Sequence, residues 1–345
     1  MSENRTEINQ LGEFGLINKL SASIPNQHPD TIKGVGDDAA VIAFGNEVAL
    51  LSTDYLVEGI HFDLAYTPLK HLGFKAVSVN VSDIAAMYGV PQSITVSLAI
   101  SNRFSVEALE ELYAGIKAAC EAYNIDLVGG DTTSSLSGLV LSISVLGKAK
   151  PSEVVYRSTA KEGDAICVTG DLGAAYLGLQ VLEREKEVFL SDNDMQPELD
   201  SFEYQVQRLL KPTARLDVVY ALKELALQPT SMIDISDGLA SELFHIATQS
   251  KVGIEVWDEN IPIENSTYER ALDFNIGPDA CALNGGEDYE LLFTLAKEDL
   301  EKIKKIPEVE VIGEVKPQEY GMKYISKEGV AHDLKAQGWN HFEKQ

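Results

Sequence analysis

The sequence predicts a two-domain protein of the mixed α/β or α+β class, with helices layered on sheets. Strand-like apolar runs alternate with amphipathic stretches of helical length along the whole chain. At 345 residues the chain exceeds what one core ordinarily serves, so two domains of roughly 150–200 residues are expected. Its 45% apolar content is that of an ordinary globular protein.

In chain order, IPNQHPDTIK (24–33) holds two prolines and makes a poor strand, while AVIAFGN (40–46) reads as extended. VALLST (48–53) is a strand running into Asp54. HLGFKAVSVNVSDIAAMYGV (71–90) has helical length, and SITVSLAI (93–100) is a strand. SVEALEELYAGIKAACEAY (105–123) is a helix with Ser105 as N-cap and an apolar stripe through Leu109, Leu112, Tyr113, Ile116 and Cys120. DLVGGD (126–131) and GLVLSISVLG (138–147) are strands. A boundary near AKPSEVV divides the chain into 1–149 and 150–345. Beyond it, DAICVTG, TSMIDIS, GIEVW and YELLFT read as strands; DLGAAYLGLQVL, KPTARLDVVYALKEL and DGLASELFHIATQS read as helices. EREKEVFLSDNDMQPELDSF (183–202) is charged and aperiodic, and reads as a surface excursion. There is no repeat and no low-complexity tract.

With 54 acidic against 28 basic residues the formal charge is −26, which disfavours nucleic acid and also repels phosphate esters unless divalent cations intervene. The N-terminal MSENRTEINQ lacks the apolar region of a signal peptide, and no run approaches the roughly 18 apolar residues of a membrane span. Cys120, Cys167 and Cys281 are far apart, which fits a reducing cytoplasm.

GVGDDAAVI (34–42) matches the G-x-G-x-x-[GA] spacing of a dinucleotide turn, but the stretch before it is a poor strand, AVIAFGN after it is too short for the helix, and Asp37 and Asp38 would repel a pyrophosphate. Aspartates recur instead at strand ends or glycine turns among small residues: Asp37, Asp38, Asp54, Asp131, Asp171, Asp234 and Asp237. Helix capping could explain Asp171 and Asp237. Asp83 is different, because it lies inside an apolar helical run and shares a face with Asn80. A buried carboxylate there needs either a structural partner or a hard cation, and Ser52 and Thr53 beside Asp54 offer further oxygen ligands. Histidines are few and no H-E-x-x-H occurs; neither a P-loop nor the protein-kinase motifs are present. Small residues at two helix starts, TGDLGAAYLG and SDGLASEL, could favour an anion, and Arg157 and Arg215 are candidate phosphate partners.

GVGDDAAVI, STDYLVEGIHF, KAVSVNVSDIAAMYG, VGGDTT, MIDISDGL, NGGEDYELLF and the terminal GWNHF occur in this order, and over essentially the whole chain they resemble the thiamine-monophosphate kinase family of the aminoimidazole ribonucleotide synthetase-like superfamily. The resemblance implies an N-terminal mixed-sheet domain pairing across a homodimer and a C-terminal α/β domain completing the cleft. It also implies magnesium-dependent, in-line transfer of the ATP γ-phosphate to thiamine monophosphate, with several magnesium ions. Its metal ligands fall on Asp38, Ser52, Thr53, Asp54, Asp83, Asp131, Asp234 and Asp237, of which Asp54, Asp83 and Asp131 are the most critical. Nucleotide contacts fall on Tyr113, Gly130, Asp131, Arg157 and Ser236; substrate contacts fall on His61, Glu287 and Trp339. No general base is implied, since a phosphate nucleophile is already ionised near neutral pH. From chemistry alone Asp37 and Asp38 are not distinguished, and Tyr113, on its apolar stripe, reads by default as core, its stacking on adenine resting on the resemblance. The rival readings are another ATP-dependent synthetase of the superfamily and a non-catalytic acidic protein that binds cations or nucleotides.

Overall fold

The structure, a computed structural model, describes residues 11–192 and 196–335. The first part contains α1 (Gly12–Ser21), β1 (Thr31–Lys33), β2 (Ala40–Phe44), β3 (Glu47–Val57), α2 (Leu69–Ala86), β4 (Val90–Ile100), α3 (Val106–Tyr123), β5 (Asp126–Ser134) and β6 (Val140–Ala149). Its six strands form one sheet in the order β1-β2-β3-β6-β4-β5, antiparallel except for the β4–β5 pair.

The second part contains β7 (Ala165–Thr169), α4 (Ala174–Ser191), α5 (Glu203–Leu210), α6 (Leu216–Glu224), β8 (Ser231–Asp234), α7 (Leu239–Ser250), β9 (Gly253–Trp257), α8 (Asn265–Asp273), α9 (Pro278–Asn284), β10 (Leu291–Leu295), α10 (Leu300–Ile303), β11 (Val309–Lys316), β12 (Met322–Ile325) and β13 (Ala331–Asp333). Its seven-stranded sheet runs β13-β12-β9-β11-β7-β10-β8, with only β12–β9 parallel. β7 and β10 are buried along their whole lengths, as their near-continuous apolar sequences require, and β8 is buried with them, its polar Ser231 and Asp234 included.

α2 is the element on which the two parts meet. It packs on β3, β4 and β6, beside α3, and against α5, α6 and β8 of the second part. A helix covered on so many sides must be apolar nearly all round, and it is buried from Leu72 to Ala86 except at Asp83. Its approach to α3 is close: a Cβ at Gly73 would lie 2.0 Å from the Leu112 carbonyl oxygen, and one at Gly115 would lie 1.9 Å from that of Lys70. A single apolar cluster therefore runs from Leu50 and Ile94 through Val77 and Ile84 to Val219, Met232 and Phe293. A second cluster fills the space between the other face of the second sheet and α7, around Ile166, Leu239 and Leu243.

Two local expectations are corrected. The stretch after Leu182 does not leave the surface as irregular chain: α4 continues to Ser191. Lys186 ties it down, reaching Glu183 at 3.0 Å and Asp63 at 2.8 Å, while buried Glu185 accepts from the Glu198 backbone at 2.9 Å. Neither Asp171 nor Asp237 caps its helix, since the N-caps are Gly173 and Gly238. The carboxylate at the start of α4 belongs to Asp288, whose two oxygens accept from Gly173 N at 3.1 and 3.0 Å. That helix start is thus filled by the protein's own anion. Ser105 does cap α3, accepting from Ala108 N at 3.3 Å. Among the described residues no helix is long and apolar enough to cross a membrane.

Candidate active site

The alternation of β3 sorts its residues between two faces. Leu50 and Leu56 are buried on the side of α2, and Ser52 and Asp54 share their parity. Ser52 Oγ donates to Asp83 Oδ2 at 2.5 Å, and Asp54 N donates to Asn80 Oδ1 at 3.2 Å. Thr53 has the opposite parity: its hydroxyl donates to the Ile143 carbonyl and accepts from Ser144, both at 3.1 Å. The structure therefore brings Ser52 and Asp54 to α2 and turns the Thr53 side chain away.

Three carboxylates from distant parts of the sequence converge there. Asp38 ends the loop before β2, Asp83 lies on α2, and Asp234 closes β8; one oxygen of each lies within 4.8 Å of the others. Asp38 and Asp234 are buried and Asp83 is half-buried. Ser82 Oγ donates to Asp234 Oδ2 at 2.6 Å across the two parts of the molecule. Arg157 takes Asp38 in a two-point grip, Nη2 to Oδ1 at 2.5 Å and Nε to Oδ2 at 3.2 Å. Asp37 stands outside this group, accepting from Arg157 N at 3.3 Å and facing Lys33 at 3.5 Å. The geometry thus separates two neighbours that chemistry alone did not. No lysine or arginine ion-pairs with Asp83 or Asp234 among the described residues.

Two unit charges 4.8 Å apart repel by about 3 kcal/mol at an effective dielectric constant near 20. Burial, followed by the charges of Asp54, Asp234 and Asp38, holds the Asp83 carboxyl well above the usual carboxylate range. Burial and Asp38 push Asp234 up to about 7, against the pull of Ser82 and Arg157. An all-oxygen set of carboxylates and hydroxyls is the donor set of a hard divalent cation.

The sign of the resulting pH dependence follows. Asp234 titrates near 3.8 when unfolded and at about 7 when folded, so its contribution to stability is present at low pH and lost as pH rises through about 7. Asp37, raised by burial to about 6, and Asp288, raised by burial to about 7, act in the same direction. In chelator the melting temperature should therefore fall between pH 5.5 and 8. Magnesium should reverse the fall at pH 8, and Asp234→Asn should make it shallower without abolishing it, since Asp37 and Asp288 remain. A thermal-shift series over that window checks all three.

Other singled-out residues surround this cluster. His61 Nδ1 accepts from Val57 N at 3.1 Å, which fixes the neutral ring with its proton on Nε2. Ser236 is exposed next to Asp237 on the loop after β8, and its carbonyl accepts from Glu287 N at 2.7 Å. Glu287 and Tyr289 both adopt left-handed backbone, with φ of 63° and 53°. Gly286 has φ of 71°, and a Cβ on it would meet the Ser236 carbonyl at 2.5 Å. The Gly286–Tyr289 loop is thus held directly against the loop that follows Asp234. Arg215 is engaged elsewhere, with Glu290 at 2.7 Å and Asp217 at 3.0 Å. Trp339 lies outside the described residues.

Tyr113, Gly130 and Asp131 sit apart from the trio. They line an open groove of about 370 Å³ with Val96, Leu127, Gly129 and Thr132. Tyr113 is 37% exposed there rather than part of the core. Asp131 pairs in register with Ser97, Ser97 with Ser142, and Ser142 with Tyr55. In strand order that is three steps from β3, or about 14 Å at the usual spacing.

Sequence reasoning missed Lys75, Ser82, Asp288 and Tyr289. Lys75 carried the same signal that exposed Asp83, a charge inside an apolar helical run, whereas a serine among small residues carries none.

Residues 36–149 match the family model described as AIR synthase related protein, N-terminal domain, and residues 161–324 match its C-terminal domain counterpart. The chain is 36% identical to the thiamine-monophosphate kinase of Aquifex aeolicus (strain VF5), covering 97% of this chain and 99% of that one. It is 32% identical to that of Bacillus subtilis (strain 168), covering 96% and 100%. A solved structure described as AaThiL complexed with AMPPCP and TMP superposes with a TM-score of 0.83 at 32% identity, covering 98% and 100% of the two chains.

Proposed function

Since the chain belongs to the thiamine-monophosphate kinase family, with both AIR synthase related domains, we propose that it transfers the γ-phosphate of ATP to thiamine monophosphate, giving thiamine diphosphate and ADP. The observation that carries this reading is the trio Asp38, Asp83 and Asp234, drawn from one loop, one helix and one strand end into a space that suits divalent cations. A terminal phosphate oxygen of thiamine monophosphate forms the new bond to the γ-phosphorus, the bond from that phosphorus to the β,γ-bridging oxygen breaks, and ADP leaves.

Asp38, Asp83 and Asp234, with Ser52 and Asp54 beside them, would hold magnesium, with Asp131 and Asp237 as further ligands by resemblance; the Thr53 hydroxyl, turned to the other face, is bonded to Ile143 and Ser144 instead. When bound, the metal supplies positive charge between two anions that would otherwise repel. The chain's own residues do the rest. Arg157 orients Asp38 and places a cation at the edge of the cluster. Ser52 and Ser82 fix the rotamers of Asp83 and Asp234. His61 can donate only through Nε2, which suits a phosphate or other acceptor. Arg157 and Ser236 serve the nucleotide; Glu287 and Trp339 serve the thiamine moiety.

The groove on β5 lies three strands from β3, a separation that favours Asp131 serving the trio of a second copy over serving its own. A homodimer supplies that copy. The face of the first sheet turned away from α2 exposes Leu51, Tyr55 and Leu146 at 44, 62 and 43%. An apolar face of this kind marks an interaction surface. Pairing two such faces would set Asp131, Gly130 and Tyr113 of one copy beside the trio of the other. A cytoplasmic location belongs to the same reading and is supported by three free cysteines.

The test is incubation with ATP, magnesium and thiamine monophosphate. Thiamine diphosphate and ADP should form in equal amounts, and ATP turnover should stop when thiamine monophosphate or magnesium is withheld. ATP turnover indifferent to thiamine monophosphate would favour a different synthetase of the superfamily, and binding without turnover would favour a non-catalytic protein.

A further inference from the structure

We propose that Lys75 is a specificity-determining positioning residue: its ammonium holds Glu287 as an oriented, acceptor-only carboxylate, so that the cleft takes an amino-substituted pyrimidine in preference to the oxo analogue. The inference rests on the reading of Glu287 as a thiamine contact.

Lys75 is 3% exposed, on the helix that carries Asp83, and its Nζ is ion-paired with Glu287 Oε2. A lysine so deeply buried is rarely found without a dedicated partner, because stranding its charge is costly. The Glu287 side chain remains 28% exposed. With Oε2 committed to the ammonium, Oε1 is the oxygen available to a ligand. The backbone beneath is pinned residue by residue: Glu287 N donates to Ser236 O at 2.7 Å, Tyr289 N donates to Ile235 O at 2.9 Å, and the Asp288 carboxylate accepts from Gly173 N. Left-handed φ at Glu287 and Tyr289 persists only where the surroundings impose it, and such strain gathers at ligand sites. A pinned backbone and a paired carboxylate leave little freedom to the direction of Glu287.

The chemical consequence is selectivity. An ionised carboxylate accepts hydrogen bonds and cannot donate. The exocyclic amine of an aminopyrimidine offers it an N–H. A carbonyl at the same ring position offers only another acceptor. Without Lys75, nothing fixes which oxygen of Glu287 faces the ligand or in which direction, and the distinction weakens.

The experiment compares kcat/KM for thiamine monophosphate with that for oxythiamine monophosphate, in which an oxo group replaces the 4-amino group. Wild type should prefer the amine; Lys75→Met and Lys75→Gln should reduce the preference by roughly tenfold or more, the worth of one charge-assisted hydrogen bond. KM for ATP should stay unmoved. Lys75→Arg should retain the preference even if its rates are lower. Equal losses for both substrates, with the ratio preserved in Lys75→Met and Lys75→Gln, would mean that the pair only ties α2 to the Gly286–Tyr289 loop, and would overturn the proposal. Should neither of those variants fold, Glu287→Gln is compared with the double variant Lys75→Met/Glu287→Gln, in which no carboxylate is left stranded. Equal ratios support action through Glu287, and unequal ratios overturn it. Absence of thiamine monophosphate turnover in the wild type would instead count against the kinase reading itself.

Discussion

Asp83→Asn is expected to lower kcat on the order of a thousandfold or more, the scale of losing a charge-stabilising group in a water-poor site. The fold should survive the change. Burial and the charges of Asp54, Asp234 and Asp38 raise the Asp83 carboxyl well above the usual carboxylate range, so in metal-free buffer an amide of the same shape gives up no favourable charge interaction. Its oxygen can still accept from Ser52 Oγ, now at 2.5 Å from the carboxylate. The melting temperature in chelator should therefore match that of the parent, while the gain on adding magnesium should shrink or vanish. Circular dichroism melts with and without magnesium, beside steady-state kinetics, check both halves. Activity close to that of the parent would remove Asp83 from the catalytic centre. A collapse of stability in chelator would make its role structural.

Co-expression of Asp83→Asn and Asp131→Asn chains should restore about a quarter of wild-type activity, although each variant alone is inactive. The arithmetic comes from the paired-sheet arrangement. If Asp131 of one copy serves the trio of the other, a mixed dimer has one site carrying both substitutions and one site carrying neither. Random pairing makes half of all dimers mixed, and half of the sites in those are intact. Two differently tagged chains, purified through both tags, should then show about half of the wild-type rate per dimer. If Asp131 served its own chain's trio, every site in every pairing would carry a substitution, and no activity would return.

Much of the fold was legible because burial imposes periodicity. The strands β3, β4 and β6 and the helices α2, α3 and α7 stand where apolar patterning places them. The end of α4 was not legible: its last turns are charged, and what holds them is contact with Asp63, over a hundred residues away, and with Glu198. Asp83 was visible as a charge in an apolar run, and Lys75 was visible in the same way but went unread. The meeting of Asp38 with Asp234 leaves no local trace, since long-range convergence is a property of topology; only the resemblance pointed to it. The side-chain direction of Thr53, by contrast, was available from strand parity, because Ser52 and Asp54 share one face and the residue between them must take the other. The NGGEDYELLF motif marked the loop after α9, but its strained backbone escaped notice, because left-handed φ at Glu287 and Tyr289 has no signature in residues other than glycine and asparagine.

The apolar cluster that passes through α2 also bears on how the molecule comes apart. Leu50 and Ile94 on one side and Met232 and Phe293 on the other share that helix as common packing material. Neither sheet can melt while its neighbour stays intact, so scanning calorimetry should record one endotherm rather than two. A chain severed near residue 150 should yield fragments that are insoluble apart and recover only when refolded together.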